Sequence, residues 1–381
     1  MKKVMMIASV ASMIDQFNMS NIDILKKKGY EVHVVANFEY GSTSSKQRVL
    51  EFKKELEKLD IPYYHVGFSR KLTDIGSNLK AYKQIKNLML KNKYEFIHCH
   101  SPIGGVCGRI AAKNTKTKVM YTAHGFHFFK GSPIKSWILY YPVEKFMSKF
   151  TDILITINKE DYHLAKSEFK AKKIVYIPGV GVDTEKFQKT MINKINKRNE
   201  LGVPEDAILL FSVGELGKRK NHEVVIKALG KNLNKNIYYM ICGQGELENY
   251  LIDLIKELKL EEKVFLLGFR TDIAELCKAS DIYVFPSQRE GLGIAALEGM
   301  SAGLPLISSY INGIRDYTKN NKTGFCLEPL DVDGFAKSID LLSRDKDLRL
   351  QMGLHNLNVV KKFDIKNVEK IMEKIYENIV E

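Results

Sequence analysis

Glu290 and Glu298 stand eight positions apart in the run Gln288-Arg289-Glu290-Gly291-Leu292-Gly293-Ile294-Ala295-Ala296-Leu297-Glu298. Two carboxylates at such spacing can flank one glycosidic bond as acid and base or nucleophile. They can also grip the two ends of a long polar ligand. The surrounding pattern favours the second use. An apolar run, Ile282–Ser287, precedes the pair and reads as a strand, and a short helix is expected to begin near Leu292. Glu290 would then lie at a strand's carboxyl end, beside the free N–H groups of a helix N-terminus, where anions bind. Glu298 would follow on the helix, roughly 6–9 Å further along at 1.5 Å per residue. One acid near a phosphate-binding turn and another a turn or two away suit a nucleotide-sugar.

Other constellations fall at predicted strand ends. Gly214-Glu215-Leu216-Gly217-Lys218-Arg219-Lys220-Asn221-His222 places three consecutive cations before a helix start. They could neutralise a diphosphate, or form a solvated basic turn. Gly243 and Gly245, in Gly243-Gln244-Gly245-Glu246, open another strand-to-helix turn, where a lone GxG serves a tight turn as readily as a ligand. Phe269 and Arg270, in Phe269-Arg270-Thr271-Asp272, could lie against a base; Thr271 or Asp272 acting as a helix N-cap is the alternative. His124, just past a strand in Tyr121–His127, could hydrogen-bond a sugar hydroxyl or phosphate or polarise a leaving oxygen. His98 and His100 share a strand face, but no third ligand is apparent and no metal site is expected. Gly104, Gly105 and Gly108 do not make GxGxxG, which argues against a nicotinamide cofactor. Asp331 and Asp345 read as helix caps rather than ion ligands. No catalytic serine triad, Walker A loop or nucleic-acid module is present.

These residues need scaffolding, and the hydrophobic pattern supplies it. Short apolar runs alternate with helical patterns along all 381 residues, predicting parallel sheets covered by helices. The strands are expected at Val4–Ala8, Glu31–Ala36, Tyr63–Val66, Phe96–His100, Lys118–Ala123, Ile153–Ile157 and Ile174–Ile177 in a first domain, residues 1–178. After a hinge at Pro178–Asp183 and a polar stretch at Lys189–Asn199, the pattern restarts at Leu209–Gly214, Tyr238–Cys242, Val264–Leu267, Ile282–Pro286 and Leu304–Ser308. A second domain is expected over 179–360, then a helical pattern over Lys361–Glu381. Ligands of such open sheets bind beyond the carboxyl ends of the strands, so a cleft between the domains is the expected site.

Composition bounds the possibilities. The net charge of +14 sits almost wholly in the first half: residues 1–185 carry +13 and residues 186–381 carry +1. A basic surface can attract an anionic membrane leaflet or nucleic acid, or be a solvated lysine-rich face with no partner. No run of 18 or more apolar residues suggests a membrane span, and the start reads as a first strand rather than a signal peptide. The five cysteines form no CxxC pair and suit a reduced, cytoplasmic protein.

The segment from Ala279-Ser280-Asp281 through Ser309, with its Glu-x7-Glu pair and Gly303-Leu304-Pro305, closely resembles the signature of the retaining glycosyltransferases of family four. The resemblance extends over nearly the whole chain. The block Tyr121–Phe129, with Tyr140-Tyr141-Pro142 and Thr156-Ile157-Asn158-Lys159-Glu160-Asp161, is similar to bacterial capsule and exopolysaccharide enzymes of that family. The resemblance implies an α/β fold of GT-B architecture: two Rossmann-like, doubly wound parallel-sheet domains facing across a nucleotide-sugar cleft, with the C-terminal helix crossing back to the first.

It also implies roles. Glu298 would hold the donor ribose, and Glu290 would face the donor sugar. The amides of Gly291, Leu292, Gly293 and Ile294 would lie near the diphosphate. Lys220 matches the family's phosphate lysine and His124 its cleft histidine. The sequence departs from the pattern at Glu215, where an arginine is usual; Arg219 is the candidate replacement. It departs again at Ser9–Asp15, where paired glycines are usual.

The expected activity is transfer of a sugar, N-acetylated by this reading, from a UDP-sugar to a lipid-linked (polyprenyl diphosphate) saccharide in capsule or exopolysaccharide synthesis. No metal or cofactor is required. The enzyme would be cytoplasmic and peripheral on the inner membrane face through its basic first domain, with no nucleic-acid partner. The oligomeric state is left open. The competing readings are a UDP-sugar epimerase of the same plan and a basic, non-catalytic protein that binds phosphate polymers or lipid.

Overall fold

The computed structural model describes residues 1–41, 44–69, 73–231 and 236–380. The chain divides into two compact units, Met1–Val180 with Lys366–Glu381, and Gly181–Ile365.

Among the described residues the first unit carries a seven-stranded parallel sheet. Its strands are β1 (Lys3–Ile7), β2 (Glu31–Ala36), β3 (Tyr63–His65), β4 (Phe96–His100), β5 (Lys118–Ala123), β6 (Ile153–Thr156) and β7 (Lys173–Tyr176), in spatial order β3-β2-β1-β4-β5-β6-β7. The second unit has β8 (Ile208–Val213), β9 (Ile237–Cys242), β10 (Val264–Leu266), β11 (Ile282–Phe285), β12 (Leu306–Ser309) and β13 (Gly324–Leu327), in order β10-β9-β8-β11-β12-β13. The strands read as continuous apolar runs because helices cover both faces of each sheet. Met5, Ile7, Ile97, Val119 and Leu154 fill the first core; Leu210, Ile241, Val284 and Ile307 fill the second.

In both sheets the strand order reverses once, between β1 and β4 and between β8 and β11. The chain leaves these paired strands in opposite directions, opening a crevice at their carboxyl ends. The loops after β1, β4, β8 and β11 are therefore where each unit can hold a ligand.

The structure corrects several sequence expectations. The strand expected at Leu304–Ser308 runs Leu306–Ser309, and β13 was missed because four residues, the first a glycine, carry too little periodicity. The polar stretch after the hinge contains a helix, Lys194–Glu200, anchored by buried Arg198 on Asp281 at 2.5 Å. The units change over after Val180 and after Ile365, not after 178 and 360. Val182 explains both shifts: its N–H donates to the Phe363 carbonyl and its carbonyl accepts from Ile365, each at 2.9 Å, pinning both crossing strands within the second unit. The pattern expected to be helical from Lys361 is broken by this pairing. A 3-10 turn, Val360–Phe363, is followed by a separate helix, Ile365–Val380; Glu381 lies outside the described residues. Asp331 and Asp345 cap their helices as expected, accepting the N–H groups of Gly334 and Leu348 at 2.8 Å.

Candidate active site

In the second unit the loops after β8 and β11 are tied together. The Gln288 N–H donates to the Arg219 carbonyl at 2.8 Å, and the Asn221 amide donates to the Pro286 carbonyl at 3.0 Å. Asn221 adopts φ +58°, a left-handed conformation that asparagine tolerates better than most residues. These bonds set Lys220 and Arg219 against Glu290. One Glu290 carboxylate oxygen accepts from Lys220 Nζ at 2.7 Å and from Arg219 Nη1 at 2.9 Å. Lys220 also lies over the Phe285 ring, 4.8 Å from its centroid.

Glu290 is buried, which by itself would raise its pKa, but Lys220 and Arg219 overcome that penalty and hold it below the usual carboxylate value. Glu298, half-buried on the following helix, behaves oppositely. Burial raises it, opposed only in part by Lys186. The two acids thus differ in charge preference, as expected of groups serving different parts of a ligand.

The helix begins at Ile294, two residues later than the Leu292 expectation. Its N-cap is Gly293 at φ +88°, where a Cβ would lie 2.6 Å from the Phe285 ring. Leu292 is buried, while Gly291 and Ile294 are half-buried. Gly214 lets the Lys220 stem cross the loop, since a Cβ there would meet its Cδ at 3.0 Å. Gly243 and Gly245 are required by close packing. Cβ atoms there would lie 1.8 Å from the Gly214 carbonyl oxygen and 2.4 Å from the Leu216 carbonyl oxygen. They permit two loops to pack, and so position the cationic loop from behind.

Phe269 is 76% exposed and free to face a ligand. Arg270 is not: Asp272 holds its guanidinium through bonds of 2.8 and 2.5 Å. Asp272 makes no side-chain cap, because its carboxylate serves Arg270 and Lys197 instead. Arg219 sits near Glu215 at 3.9 Å but is bonded to Glu290, so the cation expected to replace the missing arginine is present and committed to that carboxylate.

In the first unit His124 follows β5. Its Nε2 is 3.0 Å from His100 Nδ1. His98 does not join them to form a metal site; it bonds the Tyr376 hydroxyl through Nδ1 and Thr122 Oγ1 through Nε2, both at 2.8 Å. Burial depresses all three imidazoles, His98 to about 3, His124 to about 4 and His100 well below the ordinary value, so they are neutral at physiological pH. The loop after His124 is braced by the segment flagged at 156–161. Asp161 accepts the Phe126 N–H at 2.9 Å, and Glu160 accepts the Lys130 N–H at 2.6 Å. Beneath it, Glu144 accepts from Arg109 at 2.9 Å and from the Tyr121 hydroxyl at 3.0 Å.

Sequence reasoning missed the clasp at the first switch point. The Ser101 hydroxyl donates to Ser9 Oγ and accepts the Ser9 N–H, both at 2.8 Å, while Ser9 Oγ accepts the Gly104 N–H at 3.0 Å. Ser101 holds φ +65°, strain that such bonds must sustain. Its signal was a serine between a strand and a proline-started helix, too common to single out. Gly105 and Gly108 admit Tyr121 and Cys99 against that helix, so they serve packing.

Two doubly wound parallel sheets, each with polar groups gathered at its switch point, define the GT-B class. Solved structures share this fold: Anabaena HepE in complex with UDP (TM-score 0.80, 19% identity, 99% of this chain and 100% of that one) and WaaG, a glycosyltransferase involved in lipopolysaccharide biosynthesis (TM-score 0.73, 16% identity, 98% and 99%). Residues 3–158 match the family model described as Glycosyl transferase 4-like, and residues 193–356 match that described as Glycosyl transferases group 1. The Bacillus subtilis (strain 168) protein named "Putative glycosyltransferase EpsD" is 36% identical over 98% of this chain and 96% of its own. An Escherichia coli UDP-Gal:alpha-D-GlcNAc-diphosphoundecaprenol alpha-1,3-galactosyltransferase is 34% identical over 81% of each chain. CapM of Staphylococcus aureus, a capsular polysaccharide biosynthesis glycosyltransferase, is 26% identical over 93% of this chain and 92% of its own. The chain belongs to this glycosyltransferase family and is a glycosyltransferase.

Proposed function

We propose that this glycosyltransferase transfers a sugar from a UDP-sugar to a saccharide carried on a polyprenyl diphosphate, with retention of anomeric configuration, in assembly of a surface polysaccharide. The single observation that carries the reading is the Lys220–Glu290–Arg219 cluster at the β8/β11 switch point. Without donor, Glu290 is the counter-ion of two cations. A diphosphate brings a second anion to the same cations and draws them from the carboxylate. As the sugar–phosphate bond breaks, charge grows on the leaving UDP, and fixed cations stabilise that growth. Glu290, released in part, then faces the oxocarbenium-like sugar. Glu298 holds the ribose hydroxyls, and exposed Phe269 offers a surface to the base. Neutral His124 offers a hydrogen bond to a sugar hydroxyl without adding charge.

The donor reading draws on the UDP in the HepE crystal, and the acceptor reading on the diphosphoundecaprenol in the name of the E. coli relative. An N-acetylated donor sugar is in keeping with a Bacillus anthracis relative named N-acetyl-alpha-D-glucosaminyl L-malate synthase. The reaction uses no metal in this proposal. The enzyme works at the cytoplasmic membrane face, held by the basic first unit; among the described residues no helix is long and apolar enough to cross a membrane.

Thermal unfolding with UDP-, GDP- and ADP-sugars tests the donor, since a ligand at 100 times its Kd stabilises by about 2.7 kcal/mol. UDP-sugars alone should raise the midpoint, and transfer to undecaprenyl-diphosphate-linked N-acetylglucosamine should give a product with the donor's anomeric configuration. Stabilisation by GDP- or ADP-sugars instead, or an inverted product, would overturn the reading.

A further inference from the structure

The helices Ile75–Asn92 and Pro102–Thr115 of the first unit pack side by side and leave an aliphatic groove of about 390 Å³ between them. Ile75, Leu79 and Tyr82 form one wall; Ile103, Val106 and Ile110 form the other. Ile75 is 75% exposed and Leu79 49% exposed, although Ala81, Ile85 and Met89 of the same helix are buried in the core. Apolar side chains arranged around a hollow in water gain by covering it. The groove has the volume of a small-molecule site, for which roughly 300–1,000 Å³ is usual.

A second cavity, of about 310 Å³, lies at the carboxyl ends of β1 and β4. Its lining is mixed: Ser9, Ser12 and Ser101 stand beside the apolar Val10, Met13 and Phe17, with His127 stacked on Tyr140 at 4.4 Å. Ile103, in the first turn of the second helix, lines both spaces. A chamber that holds three hydroxyls and an imidazole at the sheet's switch point thus shares a wall residue with an apolar groove. A ligand with a hydroxyl- or phosphate-bearing head and a hydrocarbon tail suits this pair of neighbouring spaces.

We infer that the groove between these two helices receives the isoprenoid chain of the lipid-linked acceptor, with the acceptor's head in the Ser9–Ser101 chamber. This rests on the acceptor class proposed above. A concave groove fits one chain entering lengthwise.

The test compares N-acetylglucosaminyl diphosphate on an undecaprenyl chain with the same head on a hexyl chain, for wild type, Leu79→Asp and Val106→Trp. The tryptophan fills the groove while keeping it apolar, so it separates occupancy of the groove from general membrane affinity. We expect KM for the undecaprenyl acceptor to rise about tenfold or more in both variants, the scale of losing a few buried methylenes. KM for the hexyl acceptor and UDP release without acceptor should stay at wild-type values. Equal effects on both acceptors, or no effect on either, would overturn the assignment. So would loss of Val106→Trp from anionic vesicles that lack acceptor, which would make the groove a bilayer contact. If wild type uses neither acceptor, the acceptor reading itself has failed. Photolabelling with a diazirine-bearing farnesyl diphosphate then decides the groove alone: label within 75–82 or 103–110 supports it, and label elsewhere refutes it.

Discussion

Replacing Lys220 with alanine should damage stability and turnover together, and a second substitution should separate the two effects. The side chains of Lys220 and Glu290 are 13% and 9% exposed and 2.7 Å apart. Removing one partner of a buried pair costs about 3–5 kcal/mol, because the other charge is left without compensation. Arg219 still bonds Glu290 from a more exposed position, so the lower end, about 3 kcal/mol, is expected. For a unit of this size that lowers its thermal midpoint by roughly 6–12 °C. Adding Glu290→Gln removes the orphaned carboxylate and should restore at least half of that loss.

Turnover should behave differently. If Lys220 stabilises the leaving diphosphate, its loss raises the barrier by about 2–4 kcal/mol, roughly 30- to 1,000-fold in rate. Removing Glu290 cannot return the missing cation. The assay is UDP release at saturating donor, with unfolding followed by calorimetry as separate transitions. The pH dependence adds a check. The wild-type pair depresses the Glu290 pKa, so its stabilisation is present above the ordinary carboxylate value and is lost as pH falls through the depressed one. In Lys220→Ala the penalty should shrink on acidification, because the poorly compensated buried carboxyl takes up a proton. A double variant that regains turnover, or that stays as unstable as the single, would refute the reasoning.

Two further outcomes follow from the same geometry. Glu298→Gln should raise donor KM by roughly threefold to tenfold, the loss of about 0.5–1.5 kcal/mol of hydrogen bonding, with kcat little changed; a collapse of kcat at unaltered KM would place Glu298 at the reacting bond instead. The first unit should lose stability as pH falls from 6.5 toward 4, since His98 and His124 titrate at about 3 and about 4 when folded and the unfolded chain takes up their protons first. A midpoint constant across that range, measured by circular dichroism, would show that these imidazoles are not held neutral by burial.

The amino-acid sequence by itself determined the two sheets, most strand positions, the Glu290–Glu298 spacing and the placement of Lys220 and His124 at strand ends. These are local facts. Apolar runs of strand length between helical patterns define their elements without long-range information, and a residue just past a strand is at its carboxyl end by construction. Tertiary structure alone decided the partners. Lys220 and Glu290 are 70 positions apart, and His98 and Tyr376 are 278 apart. No periodicity couples residues at such separations. Only strand order brings β8 beside β11 and sets the final helix against β4. The same distance hid the Ser9–Ser101 clasp and the close approach of Gly243 to the Gly214 carbonyl. Charge preference was hidden too, because it depends on burial and neighbours. Glu290 and Glu298 are the same residue type, yet two cations hold one ionised while burial pushes the other toward its neutral form.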